Sequence, residues 1–310
     1  MRIRKAVIPA AGLGTRLLPT TKAQPKEMLP IVDKPTLQYI VEEAVSAGIE
    51  DILIVTGHNK RSIEDHFDYA VELEAELEKK QEEALLQELR RIGDMANIYY
   101  IRQKTALGLG HAIGCARTFV GLEPFAILLG DDVIVGKKPA IGQLIDAFNE
   151  TRCSILGVQR VEQNAVSKYG IIRPEENSNH KYIHVSELVE KPAPEDAPSD
   201  IAILGRYVLT PNIFEVLART PKGRGNEIQL TDALNLLVTG DDIYACEFEG
   251  TRYDVGDRMG FLRANVEIGM MHPEIGPVFA SYLAALSLDP KQPLHGAIGA
   301  ELKKRREKQS

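Results

Sequence analysis

Over the first half of the chain, short apolar runs alternate with glycine turns and amphipathic stretches. Lys5–Ala10 (KAVIPA) has the composition of a short buried strand and leads into a glycine-rich turn, AGLGTR. Thr36–Ala47 sets Leu37, Ile40, Val41, Ala44 and Val45 on one face of a helix that Gly48 stops. Asp51–Thr56 (DILIVT), Ile98–Gln103 and Phe125–Leu129 repeat the strand pattern, the last running into Gly130-Asp131-Asp132. Strand, loop, helix, strand in succession predicts an α/β chain, with a Rossmann-like, mostly parallel central sheet covered by helices on both faces. In such sheets ligands sit beyond the carboxyl ends of the strands. The glycine turn and the Gly-Asp-Asp would then face one crevice.

Past residue 150 the pattern changes. Ser154–Val161, Tyr182–Val189, Ile201–Leu209 and Ile243–Glu249 predict strands joined by turn-rich connections with fewer helices. No linker separates the two parts, and the Pro-rich Ala193–Ser199 is short enough to be a surface loop. One domain over residues 1–290 is therefore expected, with a smaller mixed-sheet half packed on the first. Val71–Ile92 is the most polar stretch, with 11 of the 20 residues Glu72–Arg91 charged. Its Leu73, Leu77, Leu85, Leu89 and Ile92 fall at helical spacing. A solvated helix packing through one narrow stripe is expected, and a lid or subunit contact is the sharper alternative.

Composition narrows the partners. The 310 residues carry 44 acidic and 37 basic side chains, a net charge of −7. Such a chain is poorly suited to coating nucleic acid, and an anionic ligand must be held by a few placed cations or a metal. The basic run KKRREK lies within the tail 291–310 and is expected to be a frayed, solvated end. The three cysteines, Cys115, Cys153 and Cys246, form no CxxC pair, which suits a reducing compartment and gives no zinc signature. No apolar run approaches the roughly 18 residues of a spanning helix, and no signal segment opens the chain. A cytoplasmic location without membrane contact is expected. His180 and His184 are four apart but fall in a loop-to-strand region, and are read as surface residues rather than metal ligands.

The AGLGTR turn fails the dinucleotide fingerprint, because Leu17 stands where its third glycine belongs, and it fails the P-loop for want of a G-K-[ST]. A glycine turn after a strand, ending in Arg16, remains. Such a turn lets backbone N–H groups approach phosphate oxygens, and Arg16 adds a planar charge. Lys22, Lys26 and the string Pro25–Pro30 (PKEMLP) follow within a few residues, enough cation to neutralise a triphosphate.

Together G-x-G-T-R-L and P-K-E-M-L-P resemble the bacterial nucleoside-triphosphate:sugar-1-phosphate nucleotidylyltransferases, and the second string resembles their uridylyl branch in particular. Further matches follow in order: Arg102-Gln103 with Ala106–Ala112 (ALGLGHA), Leu128–Asp132 (LLGDD), Tyr169-Gly170, Val189–Pro192 (VEKP), Gly205–Val208 (GRYV), Glu227–Asp232 (EIQLTD) and Tyr253–Gly256 (YDVG). They span roughly residues 4–270.

The resemblance implies transfer of a uridylyl group from UTP to glucose 1-phosphate, with UDP-glucose and pyrophosphate as products and Mg²⁺ as cofactor. It makes 1–150 the nucleotide-binding half and 151–290 the sugar-phosphate-binding half. It places Ala10, Ala11, Gly12, Gly14, Thr15, Gln103 and Gly108 against the nucleotide, and Gly170, Glu190, Lys191 and Gly205 against the sugar phosphate. Arg16, Lys26 and Lys191 are the implied catalytic cations. Gln103 carries the amide donor and acceptor needed to read a pyrimidine edge, and Gly108 leaves room for the base. Asp131 and Asp254 are hard oxygen ligands suited to Mg²⁺. Asp132 is an alternative to Asp131, since neighbours on a strand point to opposite faces; the resemblance favours Asp131. It also implies a homo-oligomer, a dimer or a dimer of dimers. The same scaffold could take dTTP or another sugar phosphate, and a non-catalytic sugar-nucleotide binder is the alternative outside enzymes.

Overall fold

The computed structural model describes residues 2–175, 181–288 and 296. The first half runs β1 (Lys5–Pro9), the two-residue hairpin strands β2 (Pro30–Ile31) and β3 (Lys34–Pro35), α1 (Thr36–Ser46), β4 (Asp51–Thr56) and α2 (Arg61–Phe67). It continues with α3 (Val71–Lys80), α4 (Glu83–Gly93), β5 (Asn97–Arg102), α5 (Leu109–Gly114), α6 (Arg117–Val120) and β6 (Phe125–Leu128). The second comprises β7 (Asp132–Val135), α7 (Ala140–Thr151), β8 (Ser154–Arg160), β9 (Gly170–Pro174), β10 (Ile183–Glu190) and β11 (Ile201–Leu209). After these come α8 (Ile213–Arg219), α9 (Leu230–Leu237), β12 (Ile243–Glu247), β13 (Thr251–Asp254), α10 (Arg258–Met271) and α11 (Gly276–Leu288).

Nine strands form one sheet in the order β5-β4-β1-β6-β11-β8-β12-β10-β9, and β9 also pairs with β11, closing the last five strands into a ring. β5, β4, β1 and β6 are parallel, as their helical crossovers require. β11 runs against both β6 and β8, and β10 against both β12 and β9. The sheet is therefore mixed rather than mostly parallel. In the second half the crossover helices thin out; the consecutive β9 and β10 pair antiparallel, while β12 runs parallel to β8.

Alternation along each strand divides the core between the two faces. Ala6 and Ile8 of β1 and Ile52 and Ile54 of β4 join one cluster, where α1 contributes Leu37, Ile40 and Val41 and α7 contributes Ile141 and Leu144. Val7, Leu53 and Val55 point the other way, into a cluster closed by α5, α6, α8 and α9. Helices thus cover both faces. Each fully buried Leu or Ile stabilises the sheet by about 1.5–3 kcal/mol, so it is held in place by many small contributions. A third cluster, Ile31, Val133, Tyr253, Val255, Ala264 and Ile268, packs the β7–β13 ribbon against α10.

The polar stretch 71–92 is two helices. Gln81 adopts the left-handed conformation at φ 58° and ends α3, and Glu83 begins α4. The break shifts the apolar phase: Leu86 is buried, whereas Leu73 and Leu85 remain half exposed. Among the described residues no helix is long and apolar enough to cross a membrane. His184 is a partly buried strand residue facing Glu175 and Asp242, while His180 and the tail 291–310, apart from Gly296, lie outside the described residues.

Candidate active site

A cleft of about 930 Å³ opens at the carboxyl ends of β1, β5 and β6 and continues toward the closed ring of strands. The turn after β1 forms one wall. Gly14 takes φ 67° there, with its carbonyl accepting from Thr21 Oγ1 at 2.7 Å. A Cβ on Gly57, at the end of β4, would lie 2.9 Å from the Ala11 carbonyl, so these two turns pack backbone to backbone. Ala11, Gly12, Thr15 and Arg16 line the cleft; Ala10 and Gly14 do not. Ala10 is buried and donates its N–H to Val55, and Gly14 shapes the turn from behind.

The 3₁₀ turn Lys26–Met28 points neighbouring side chains in opposite directions. Lys26 enters the cleft and its Nζ lies 2.6 Å from Asp131 Oδ2, which Arg16 Nη2 also approaches at 3.4 Å. Burial alone would lower the Lys26 pKa, but Asp131 and Glu27 outweigh it and raise it. Burial would likewise raise Asp131, and Lys26 foremost overturns that, holding the carboxyl below its ordinary range. Glu27 turns inward, fully buried, and pairs with Lys60 Nζ at 2.7 Å, while its Oε1 has no hydrogen-bond partner among the described residues. Burial is the main cause that pushes Glu27 up, and Lys60 offsets part of it.

Asp254 closes the same corner. The Val255 N–H donates to the Asp131 carbonyl at 2.9 Å, which ties the end of β13 to the end of β6. A Cβ on Gly256 would lie 2.5 Å from Arg16 Nη2, 2.6 Å from Asp131 Oδ2 and 3.1 Å from Asp254 Oδ1. Three charged groups from three segments therefore converge on the bare face of one glycine. Asp132 differs in role from its neighbour. It is buried beneath Gly205, ion-paired with Arg252, and pushed up to about 6 by burial foremost, with Arg252 offsetting and Asp131 and Asp254 adding to the rise. Both neighbours line the cleft: Asp131 contacts Lys26 and Arg16, and Asp132 contacts Arg252. Among the described residues no cluster of three or more His, Cys, Asp or Glu could hold a metal alone. A pair of carboxylates with room for phosphate and water fits Mg²⁺, which needs no all-protein cage.

Gly170, Glu190, Lys191 and Gly205 all line the same cleft. Lys191 follows the end of β10 at φ 47°, its N–H donating to the Tyr169 carbonyl and its Nζ 2.8 Å from Glu190 Oε1. A Cβ on Gly170 would crowd Thr231 Oγ1 at 2.8 Å, and one on Gly205 (φ 66°) would run into the Asp132 carboxylate. Gly108 lines the cleft, and its packing adds a second demand for glycine. At φ 97° its missing Cβ points at Glu227 and Ile228, not into open space, and Leu107 and Gly110 hydrogen-bond to Ile228 at 2.8 Å each. Gln103 sits nearly buried at the end of β5.

Sequence reasoning missed three participants. Arg252 lines the cleft between Asp132 and Asp254 and lies over the Tyr169 ring at 5.0 Å. It stands next to the YDVG string, but only the pairing of β13 with β7 sets it against Asp132. Arg206, within the GRYV string, is wholly buried rather than in the cleft. It bonds Glu43 at 2.6 and 3.0 Å and the Asp132 carbonyl at 2.8 Å, so α1 braces the strand end from below. The Glu27–Lys60 pair is the third, formed by residues 33 apart with no signal in their spacing.

Residues 5–270 match the model of the nucleotidyl transferase family, and the chain belongs to that family. Within it, UTP–glucose-1-phosphate uridylyltransferase YngB of Bacillus subtilis is 58% identical over 282 residues, 91% of this chain and 95% of the relative. UTP-bound UGPase from Acinetobacter baumannii shares the fold at a TM-score of 0.85 and 40% identity, covering 93% of this chain and 100% of that one. A UDP-glucose pyrophosphorylase complexed with UDP-glucose superposes with a TM-score of 0.80 at 44% identity, covering 87% of this chain and 100% of that one.

Proposed function

We propose that the chain transfers a uridylyl group from UTP to α-D-glucose 1-phosphate, giving UDP-glucose and pyrophosphate. The observation that carries this reading is a single cleft lined both by Arg16, Lys26, Asp131 and Asp254 and by Glu190 and Lys191. The first group suits a metal-bound triphosphate, the second a sugar phosphate. A phosphate monoester is an adequate nucleophile, so in-line attack on the α-phosphorus needs positioning and charge neutralisation more than covalent help.

In this reading Arg16 and Lys26 take up charge on the triphosphate, and Lys191 orients the attacking phosphate as a point charge. Glu190 accepts hydrogen bonds from sugar hydroxyls, while Gly170 and Gly205 let the ring approach backbone. Ala11, Gly12 and Thr15 of the turn, with Gln103 and Gly108, hold the nucleotide, and Ala10 and Gly14 shape that turn from behind. Asp131 and Asp254 hold Mg²⁺, which when bound neutralises phosphate charge and polarises the phosphoryl group under attack. Residues 1–290 act as one domain, about 1–150 serving the nucleotide and 151–290 the sugar phosphate. Cytoplasmic residence fits three free cysteines. A homodimer or homotetramer fits the exposed Leu73 and Leu85 on α3 and α4 and the exposed Met271, Val278 and Tyr282 near the C-terminal helices.

Pyrophosphate release measured over a panel of nucleoside triphosphates and sugar 1-phosphates tests the reading. Release with UTP and glucose 1-phosphate well above every other pair is expected; equal use of ATP would overturn it.

A further inference from the structure

We propose that His111 determines base specificity by positioning Gln103. With the Gly108 carbonyl it takes up both hydrogens of the Gln103 amide, so that the cleft offers the base only a hydrogen-bond acceptor at that point, which selects uracil over cytosine. The inference rests on the uridylyl-transfer reading for its substrate.

Gln103 follows β5, and its own N–H donates to the Thr56 carbonyl at 2.8 Å, so the side chain starts from a fixed backbone. Its Nε2 lies 3.1 Å from the Gly108 carbonyl oxygen and 2.8 Å from His111 Nδ1. A carbonyl oxygen can only accept. The amide atom beside Gly108 must therefore be the NH₂ group, because the reverse orientation would set two oxygens against each other. The second hydrogen of that NH₂ goes to His111 Nδ1, which then accepts, leaving the ring proton on Nε2.

The acceptor at Gly108 is itself immobile. Ala112 N–H donates to it at 3.1 Å, and the Leu107–Gly110 loop is pinned to Ile228 by two backbone hydrogen bonds. Both amide hydrogens are consumed inside the protein. The atom that remains is Oε1, and no hydrogen bond among the described residues ends on it. Gln103 lines the cleft, so the pair of functions expected from a glutamine is reduced to one.

An acceptor reads the two pyrimidines in opposite senses. Uracil carries a hydrogen on N3 and can donate it. Cytosine carries a lone pair on N3, so acceptor meets acceptor and both are left unsatisfied. His111 does not touch the base; Gly108 fixes which way the amide faces, and His111 takes the second N–H that would otherwise be free to satisfy cytosine.

The test compares wild type with His111→Leu and His111→Asn, using UTP and CTP with glucose 1-phosphate. Asn keeps an acceptor near the Nδ1 position; Leu has none. Wild type should favour UTP over CTP in kcat/KM by roughly a hundredfold. His111→Leu should narrow that ratio by at least about tenfold, and His111→Asn should restore most of it. A ratio unchanged in His111→Leu, or a wild type indifferent to the two nucleotides, overturns the inference. Equilibrium binding of UTP and CTP to the same three proteins separates this inference from the catalytic reading. If no transfer occurs but UTP binds more tightly than CTP with the same dependence on residue 111, only the transfer reading fails. A wild type that binds neither nucleotide overturns both.

Discussion

Lys26 Nζ and Asp131 Oδ2 stand 2.6 Å apart, joining the turn after β1 to the end of β6 across 105 residues of sequence. The pair keeps a lysine charged in a half-buried wall where burial alone would work against it. If that charge acts on the triphosphate as transfer proceeds, Lys26→Ala should lower kcat by about a hundredfold to a thousandfold. KM for UTP should change less. Steady-state kinetics with UTP varied decides this: near-normal kcat with weakened UTP binding would assign Lys26 to ground-state binding.

Neighbouring aspartates should fail in different ways. Asp131→Ala and Asp254→Ala should lose most activity and weaken metal-dependent UTP binding in calorimetry, with folding intact. A chelator should abolish turnover of the wild type; full activity in EDTA would remove Mg²⁺ from the mechanism. Asp132→Ala should instead lose stability, because Arg252 then keeps only the more distant Asp254 and the Tyr169 hydroxyl. The remaining partners hold that loss below the roughly 3–5 kcal/mol of a fully uncompensated buried charge, and thermal unfolding will register it.

Gly256→Ala places a methyl group among Arg16, Asp131 and Asp254. Arg16 is long and half exposed and can swing aside; Asp131 is held by Lys26 and cannot. A displacement of about 1 Å at a reacting centre is enough for roughly a hundredfold loss of rate. We expect that loss with an unfolding temperature close to wild type. Normal activity in this variant would show that the corner is not where the reaction occurs.

Lys60→Met should leave Glu27 buried without its nearest cation and cost about 3–5 kcal/mol. Glu27 is raised above its ordinary value of 4.5, by burial first. A carboxyl raised on folding contributes stability that is fully present below about 4.5 and is lost as pH climbs through its folded value. Removing Lys60 deepens that loss. The variant should therefore be more nearly normal in acid and fall away from wild type toward neutral pH. Adding Glu27→Gln to Lys60→Met should remove the pH dependence; urea titrations at several pH values measure all three proteins.

Much of the frame was legible because its signals are local. The apolar runs of β1, β4, β5 and β6 and the stripe of α1 each lie within a dozen residues, and structure matches them to within a residue or two at their ends. The cleft residues were legible through strings that keep their order, from Gly12 to Asp254. What escaped depends on pairing between distant segments. Arg252 acquires its role only when β13 lies beside β7, and Arg206 reads like a cleft residue until α1 places Glu43 beneath it. The ring closure is decided by one contact of β9 with β11, far beyond the reach of a sequence window. At Gln81 a residue with no special tolerance for positive φ breaks a helix whose spacing gave no warning.

That break changes the shape offered to solvent. A continuous helix over the 22 residues 71–92 would be a rod of about 33 Å, at about 1.5 Å per residue. Folded at Gln81, it becomes a blunt two-helix knob of about half that reach, fastened across its own middle by Arg90 to Glu74 and Glu78. Leu73 and Leu85 now sit on separate arms, so no unbroken zipper-like seam can run along the stretch. Anything that grips this protein there must fit a rounded patch rich in charge, and a partner shaped to lie along a rod would find nothing to follow.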